Sequence, residues 1–271
     1  MKPIDIFITS FLRQFYTQRT LEYLEQRTKY PYRLFVIDNG GNQEVLDEAV
    51  KQNKVFLVLR PSSNIGIHAA WNLALSMAES EYFITSDNDI YVPDLKNYIE
   101  SEVDGKKHLL TDHAIPVHTN PDWLERLVKL MDERPNYGAI SLCPHVFIGA
   151  AGIDPNDPED VKERNMCGAV MRIMRTEVVR KVGGWEHIIR TGRDHEESTI
   201  CSRLQNIGYK VGICSRIRAY HPFGKGIEGQ SGWGYPKDFP PEKQGHRPEI
   251  KDYVMDFDKP EAYDQNTWMP L

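Results

Sequence analysis

The sequence lacks a long apolar run: no stretch of about 18 successive apolar residues, enough to cross a bilayer, occurs in its 271 residues. We therefore expect no transmembrane segment, while peripheral association with a membrane stays open. The start of the chain, Met1 to Asp5, leads straight into a strand-like run that carries an acid, which is a poor match to a signal peptide. Together these features predict a cytoplasmic protein.

Cysteine is also scarce. The four cysteines are Cys143, Cys167, Cys201 and Cys214, and no two of them form a Cys-x-x-Cys pair. A zinc site built on cysteine is therefore not expected. We interpret the four as reduced thiols that pack as small buried hydrophobic groups.

The sequence also has no excess of positively charged residues. The formal net charge is −6, and a protein that lives on nucleic acid needs a basic surface to neutralise phosphates, so we expect no nucleic-acid partner. The hydrophobic content of 40% and the charged content of 27% are those of an ordinary globular protein. The length suffices for one large α/β domain or two small ones.

The first 90 residues show a regular alternation of short apolar runs with amphipathic stretches. Such strands alternating with helices are typical of a parallel sheet that helices cover on both faces. The clearest helix has apolar residues at helical spacing from Ile67 to Ala78. Strands are predicted at 4–9, 33–37, 55–59 and from 82 onward, and helices at 14–28, 45–50 and 67–78.

Three of the predicted strands end in a polar residue: Thr9, Asp38 and Asp87. Ligands of open α/β sheets bind at the carboxyl ends of the strands, so we expect the three residues to share one site. Asp89 lies two positions after Asp87, and two carboxylates there can offer oxygens to a divalent cation that holds nucleotide phosphates. The pattern predicts a metal–nucleotide pocket, and its plainer alternative is a solvated acidic turn.

The pattern weakens after residue 92. Residues 93 to 119 carry charges and three histidines without a tight ligand spacing (His108, His113 and His118), so we interpret them as an insertion or flap. Asn120 is predicted to cap the next helix, which stops before Pro135. The rest of the chain is predicted as a strand at 139–142, a loop at 149–164, a strand at 168–174, helices at 176–182 and 196–206, and a strand at 209–213.

In this order, the motifs resemble the inverting glycosyltransferases of GT-A fold in the large family 2 group, over roughly residues 3 to 222. A lone Asp-x-Asp is a weak signal, whereas the ordered series is fairly specific. The pieces that carry the resemblance are Thr9-Ser10, Asp38, Asn64-Ile65-Gly66 with Asn72, Asp87-Asn88-Asp89, Gly168, Val182-Gly183-Gly184-Trp185, Glu196-Glu197 before Arg203, and His221.

The resemblance implies a Rossmann-like GT-A domain with a mostly parallel central sheet flanked by helices. Residues 1–222 would form it, with a nucleotide-binding half at 1–90, the insertion or flap at 93–119 and an acceptor-binding half at 120–222. Residues 223–271 would form a loop-rich C-terminal tail, a candidate lid. The implied activity moves a sugar from a UDP- or GDP-linked donor to a hydroxyl of a saccharide or glycolipid acceptor, as in polysaccharide biosynthesis, with Mn²⁺ or Mg²⁺ as cofactor.

The resemblance also assigns roles to individual residues. Asp89, Asp87 and His221 would bind the metal, since carboxylates and neutral imidazole suit Mn²⁺. Plainer alternatives stay open: Asp38 as a turn former, Asn64 as a helix N-cap and His221 as a surface histidine. The nucleotide-sugar contacts would be Thr9, Arg13, Asp38, Asn64, Gly66, Asn72, Asp87 and Asn88.

The catalytic base is where the sequence departs from the family pattern. Inversion needs a carboxylate that takes the proton of the acceptor hydroxyl. The family has Glu-Asp at a helix start, and counting back from Arg203 places Glu197 on the base position and Glu196 before it. Asp194 is the other candidate, and acids that favour a helix N-terminus are the plainer interpretation. Trp185 is either an acceptor-stacking residue or a core tryptophan.

Two rival functions remain. A sugar-phosphate nucleotidyltransferase shares the nucleotide-binding sheet, but it usually carries a glycine-rich basic loop after the first strand, where this chain has Phe11-Leu12-Arg13-Gln14. A nucleotide-sugar-binding protein without turnover would keep the metal pocket while the residues from Asp194 to Glu197 fail to act as a base.

Overall fold

The fold is described from a computed structural model. It describes residues 2–11, 14–40, 42–92, 100–103, 106–109, 122–144, 160–186, 196–219 and 221, with the backbone alone for 100–103, 106–109, 196, 216 and 218. Arg13, Asp194 and the tail from 223 to 271 therefore lie outside the described residues, and the predictions that concern them stay predictions. Asn120 lies outside the described residues as well. The division into domains likewise stays a prediction.

The described chain alternates strands and helices almost throughout. Its elements are β1 (Ile4–Ser10), α1 (Gln14–Arg27), β2 (Tyr32–Asp38), α2 (Gln43–Lys51), β3 (Leu57–Leu59), α3 (Gly66–Met77), β4 (Tyr82–Asp87), β5 (Glu100–Val103), β6 (Lys106–Leu109), α4 (Trp123–Glu133), β7 (Tyr137–Pro144), β8 (Val161–Arg164), β9 (Arg172–Arg175), α5 (Thr176–Lys181), α6 (Glu196–Asn206) and β10 (Lys210–Ala219).

The central sheet has eight strands in the order β3-β2-β1-β4-β9-β7-β10-β8. Strands β3, β2, β1 and β4 are parallel neighbours, and so are β7 and β10. Strand β9 runs antiparallel between β4 and β7, and β8 pairs antiparallel with β10 at the edge. The prediction of a mostly parallel sheet in an α/β fold is confirmed.

Helices cover both faces of the sheet. On one face α1, α2 and α4 contribute Leu24, Leu46 and Leu127 to a cluster with Ile6 and Val36. On the other face α3, α5 and α6 pack through residues such as Trp71, Val179 and Leu204 against Phe7 and Phe83. Burying a large apolar side chain stabilises the fold by about 1.5–3 kcal/mol, and these two layers hold the carboxyl ends of the strands in fixed positions.

Two sequence predictions about the elements need correction. Residues 161–164, predicted as loop, form β8, in which Val161 is the one buried residue and Lys162, Glu163 and Arg164 are not. An edge strand with a single buried position shows no apolar alternation, so its pattern was missed. The cap of α4 is Asp122 rather than Asn120, because the Oδ1 of Asp122 accepts a hydrogen bond from the N–H of Glu125 at 2.8 Å.

Shorter differences concern the ends of strands. Strand β3 is limited to Leu57–Leu59, and β9 begins at Arg172 rather than at Gly168. Met171, just before β9, has a positive φ of 46°, which interrupts the extended backbone. Within the described residues no helix is both long enough and apolar enough to pass through a bilayer.

Candidate functional site

The sheet places the predicted polar residues side by side. In the pairing of β1 with β4, Thr9 is opposite Asp87, and in the pairing of β1 with β2, Ser10 is opposite Asp38. The carboxyl ends of three neighbouring parallel strands thus bring Thr9, Asp38 and Asp87 to one edge, with Thr9 as the last residue but one of β1. This is the edge at which open α/β sheets bind their ligands.

Asp89 lies in the turn after β4 and is joined there by His221. The side chain of Asp89 is 1% exposed, and its Oδ2 lies 3.4 Å from the Nε2 of His221, which is 27% exposed. Strand β10 delivers the histidine, because it runs parallel to β7 and ends at Ala219, two residues before it. A nearly buried carboxylate therefore contacts a partly exposed imidazole.

This donor set fits a hard or borderline divalent cation. Carboxylate oxygen and imidazole nitrogen are both ligands of Mn²⁺. The part of the chain that the structure describes has no group of three or more His, Cys, Asp or Glu side chains arranged to hold a metal by themselves. Sites for Mg²⁺ in nucleotide-binding proteins commonly use one or two carboxylates and complete the coordination with substrate phosphates. Asp89 and His221 match such a partial set.

The side chain of Asn88, which is a predicted nucleotide contact, is buried and bonds a residue of α1. The Nδ2 of Asn88 donates to the Oγ1 of Thr17 at 2.7 Å. Its backbone carbonyl accepts a hydrogen bond from the Oγ1 of Thr20 at 2.9 Å. Thr17 in turn donates to the Oδ1 of Asn42 at 3.1 Å. Asn88 is buried against α1, so its side chain supports the turn that carries Asp87 and Asp89.

Asp38 is a buried carboxylate with few protein partners. Its Oδ1 accepts from the N–H of Gly40 at 3.0 Å, and Arg60 lies 3.6 Å from its Oδ2. Burial raises the pKa of Asp38, and these two neighbours offset only part of the effect. Nearby, the Oγ1 of Thr9 is buried without a hydrogen-bond partner among the described residues. The sequence does not predict that Arg60 lies near Asp38, since Arg60 follows a short strand and no motif surrounds it.

Asn64 and Gly66 form the tight turn that leads into α3. The Oδ1 of Asn64 accepts from the N–H of Gly66 at 2.8 Å, and Gly66 has a φ of +74°, which favours glycine. The N–H of Ile65 donates to the Oδ1 of Asn39 at 3.4 Å, so the turn is tied to the loop of Asp38. Ile65 takes the N-cap position and makes no side-chain cap, so Asn64 acts as a turn residue.

Asn72, which is predicted to help orient that turn, holds the loop at Trp185. Its Oδ1 accepts from the N–H of Trp185 and its Nδ2 donates to the carbonyl of Trp185, each at 2.9 Å. A Cβ placed on Gly184 would lie 2.3 Å from the Oδ1 of Asn72, and Gly184 has a φ of +67°. The close approach of the Asn72 side chain to the backbone of residue 184 requires glycine there.

Trp185 itself lies in the core. Its side chain is 1% exposed and its ring contacts Trp71, with centroids 5.5 Å apart, and Phe83, at 6.5 Å. No ring face is open to an acceptor sugar. Of the two interpretations that the sequence left open, the core tryptophan fits the structure.

Glu197 lies in the first turn of α6, beside the loop before β9. Its Oε1 would be 3.9 Å from a Cβ placed on Gly168. The next residue, Ala169, accepts a hydrogen bond from the N–H of Asp87 at 3.3 Å. Glu197 is therefore one loop away from the carboxylates at the end of β4. Glu196 begins α6, and Asp194 lies outside the described residues.

Arg203 locks the Val182–Glu186 loop to α6. Its Nη1 donates to the carbonyls of Val182 and Gly184 at 3.0 and 3.1 Å, and its Nη2 donates to Glu186 at 2.9 Å. The sequence indicates only the spacing between Arg203 and the base position, and it gives no sign of these hydrogen bonds. The structure shows that it fixes the segment that leads towards the candidate base.

Part of the chain matches a family model of known proteins. Residues 5–104 match the family model Glycosyl transferase family 2, and this match includes the ends of β1, β2 and β4. The matched region stops before Glu197 and His221. The candidate base and the candidate histidine ligand therefore lie outside the matched part of the chain.

Solved structures share the fold over most of this chain. The mannosyltransferase PcManGT from Pyrobaculum calidifontis, solved with GDP-Man and Mn²⁺, is 14% identical with a TM-score of 0.60, covering 83% of this chain and 58% of that one. TarS 1-349 from S. aureus, solved with UDP-GlcNAc, is 14% identical with a TM-score of 0.56, covering 81% and 58%. GalNAc-T7, solved with UDP, GalNAc and Mn²⁺, is 13% identical with a TM-score of 0.54, covering 81% and 44%.

This chain spans less than two thirds of the length of each of these structures. At 13–14% identity the likeness establishes the fold. Together with the family match, it confirms the resemblance predicted from the sequence: the fold is that of the GT-A glycosyltransferases, and residues 5–104 match Glycosyl transferase family 2.

Proposed function

We propose that this protein is an inverting, metal-dependent glycosyltransferase that moves a sugar from a nucleoside-diphosphate sugar to a hydroxyl of a saccharide or lipid-linked acceptor. The observation that carries the proposal is the contact of Asp89 with His221, 3.4 Å apart, next to Asp87. Asp87 is paired with Thr9 of the neighbouring strand β1, and Ser10 of β1 is paired with Asp38. The family match over residues 5–104 supports the class of enzyme.

The nucleoside is proposed to bind at the ends of β1 and β2. The Asp38 carboxylate is nearly buried and keeps acceptor capacity for ribose hydroxyls or base N–H groups. The unpartnered Oγ1 of Thr9 lies on the adjacent strand. The turn at Gly66 lets the backbone approach a ligand closely, since glycine has no side chain there. Arg13, outside the described residues, is proposed as a phosphate contact.

The diphosphate is proposed to bind at the end of β4. Asp89 and His221 would hold Mn²⁺ or Mg²⁺, with Asp87 beside them. When bound, such an ion neutralises the charge that develops on the departing nucleoside diphosphate. His221 can ligate only as neutral imidazole, so its lone pair must not carry a proton. Asn88 and Thr17 keep the carboxylate turn in place from behind.

Glu197 is proposed as the base. It would take the proton of the acceptor hydroxyl while that oxygen attacks the anomeric carbon on the face opposite the leaving diphosphate. A single displacement of this kind inverts the anomeric configuration. Asn72 and Arg203 fix the backbone of Gly184 and Trp185, and this loop precedes the base region in the chain. Glu196 and Asp194 are the alternative bases.

A screen of nucleotide-sugar donors for hydrolysis tests the proposal without knowledge of the acceptor. We expect one UDP- or GDP-linked sugar to release its nucleoside diphosphate in the presence of Mn²⁺, and Asp89→Ala to abolish the release. Binding of a donor without turnover in hydrolysis or in acceptor mixtures would favour a binding protein. Formation of a nucleoside triphosphate from a donor and pyrophosphate would indicate a nucleotidyltransferase.

A further inference from the structure

Two of the four cysteines face each other beneath the candidate base. The Sγ atoms of Cys167 and Cys201 lie 3.8 Å apart, and both side chains are buried. Cys167 belongs to the loop between β8 and β9, while Cys201 belongs to α6. The pair therefore connects the loop that contacts the end of β4 with the helix that carries Glu197.

The surroundings of the pair distinguish the two sulfurs. The backbone N–H of Cys167 donates to the Sγ of Cys201 at 3.4 Å. The guanidinium of Arg172, which is fully buried, donates to the carbonyl of Cys167 at 3.2 Å. The hydrogen bond from the Cys167 thiol and the charge of Arg172 lower the pKa of the Cys201 thiol, although burial acts in the opposite direction. The same pairing and burial raise the pKa of Cys167.

Arg172 has no ion-pair partner among the described residues, so its charge is available to the pair. Its remaining contacts are the Oγ1 of Thr85 at 3.3 Å and the rings of Trp71 and Trp185 at 4.7 and 5.6 Å. A buried cation is costly unless polar or π-electron groups compensate it, and thiolate character at Cys201 adds such compensation. The cluster thus places Cys201, whose pKa is lowered, beside Cys167, whose pKa is raised, and a fixed cation.

We propose that Cys167 and Cys201 form a redox site that a peroxide oxidises reversibly to a disulfide. The Cys201 thiolate attacks one oxygen of hydrogen peroxide and becomes a sulfenic acid, and the departing hydroxide takes a proton to form water. The sulfur of Cys167 then attacks the sulfenic sulfur, the S–S bond forms, and the Cys167 proton leaves with the hydroxyl as a second water. Two electrons pass from the two thiols to the peroxide.

Because both sulfurs are buried, only a small oxidant can reach them readily. Hydrogen peroxide is little larger than water, whereas glutathione disulfide must bring a bulky mixed disulfide to a sulfur that is almost without exposed surface. We therefore expect peroxide to oxidise the native protein much faster than glutathione disulfide at the same concentration. The reverse order would contradict the buried geometry.

Disulfide formation would also affect the candidate active site, and this part rests on the proposed function. The sulfurs are 3.8 Å apart and a disulfide bond is about 2.05 Å long, so the two sulfurs must approach each other. Arg172 anchors the loop, so we expect α6 to move. Glu197 lies four residues before Cys201, on the same face of the helix. Oxidation should therefore displace the candidate base.

The site is tested by peroxide treatment of the full chain, followed by alkylation and peptide mapping without reductant. We expect a mass loss of two hydrogen atoms and a linked Cys167–Cys201 peptide, both reversed by dithiothreitol. Cys201→Ser and Cys201→Ala should give no disulfide, while Cys167→Ser should leave a sulfenic acid at Cys201 that dimedone traps. Cys143→Ser and Cys214→Ser are the matched controls and should still form the bond.

Peroxide that leaves all four thiols alkylatable after denaturation, or a bond that joins other cysteines, would overturn the redox site. Donor hydrolysis measured on the same samples tests the regulatory part. We expect a loss of roughly 10- to 100-fold on oxidation, because a displacement of about 1 Å can cost that much, and full recovery on reduction. A disulfide that forms without this loss would overturn regulation alone, and absence of hydrolysis before oxidation would count against the proposed function alone.

Discussion

The Nε2 of His221 lies 3.4 Å from the Oδ2 of Asp89, although more than 100 residues separate the two in the sequence. The sheet explains the contact. Strand β4 ends just before Asp89, and β10 delivers His221 to the same edge from the other half of the sheet. The contact joins the two halves at the point where a nucleoside diphosphate is proposed to bind.

Removal of the histidine should weaken the metal site without damage to the fold. His221→Ala is expected to lower the affinity for Mn²⁺ about 10-fold or more in the presence of UDP or GDP, since one ligand is lost. Electron paramagnetic resonance of free Mn²⁺ measures this affinity. Glu177→Gln, a change on the exposed surface of α5, is the control and should bind as the native protein does. Equal affinity of His221→Ala and the native protein would exclude His221 as a ligand.

Asp38 should prove dispensable for stability and necessary for binding. Burial raises its folded-state pKa, so its contribution to stability is fully present below the unfolded pKa and is lost as pH rises through the folded pKa. At neutral pH the ionised carboxylate therefore disfavours the fold. Asp38→Asn is expected to match or exceed the native protein in thermal stability at pH 7 and to lose nucleotide affinity by calorimetry. A clear loss of stability at pH 7 would contradict this.

Asp5 provides the opposite case on the neighbouring strand. Burial alone would raise its pKa, but Arg33 and the N–H groups of Glu79 and Ser80 outweigh burial and lower it. Its stabilising effect is present above the unfolded pKa and is lost as pH falls through the folded pKa. Asp5→Asn should cost about 1.5–3 kcal/mol at pH 7. The difference from the native protein should shrink as the pH approaches 3; urea denaturation across this range measures both.

The base assignment predicts a separation of binding from turnover. Glu197→Gln should keep the donor affinity of the native protein and lose turnover by roughly 10²–10⁴-fold, the usual contribution of general base catalysis. Glu196→Gln and Asp194→Asn serve as matched comparisons in the same region. If one of these two loses turnover while Glu197→Gln keeps it, the base belongs at that position instead.

The Asn72–Gly184 contact predicts a measurable coupling. Gly184→Ala should be more destabilising than Gly208→Ala, because both glycines have a positive φ, of 67° and 89°, but a Cβ at 208 meets nothing within 4 Å. The additional loss of stability in Gly184→Ala is steric, since a Cβ at 184 would lie 2.3 Å from the Oδ1 of Asn72. We expect the excess to shrink in the background of Asn72→Ala, as measured by a double-mutant cycle in urea. Simple additivity of the two changes would contradict the steric explanation.

Much of the site was predictable because strand ends are visible in sequence. Thr9, Asp38 and Asp87 follow apolar runs, and parallel strands bring such residues to one edge. The roles of Asn72 and Asn88 were not predictable, since an amide gives no sign of its partner until distant segments meet. Trp185 was ambiguous for the same reason. Strand β8 could not be predicted from an apolar alternation, because Val161 is its only buried residue.

We propose that Asp89 and His221 hold a divalent cation to which the diphosphate of a nucleotide would bind. Isothermal titration of UDP and GDP into the native protein, once with Mn²⁺ and once with EDTA, tests it directly, with Asp89→Ala as the comparison. We expect one of the two nucleotides to bind about 10-fold or more tightly with Mn²⁺ than with EDTA, and we expect Asp89→Ala to lose this gain. Equal affinity of the native protein with Mn²⁺ and with EDTA would contradict it.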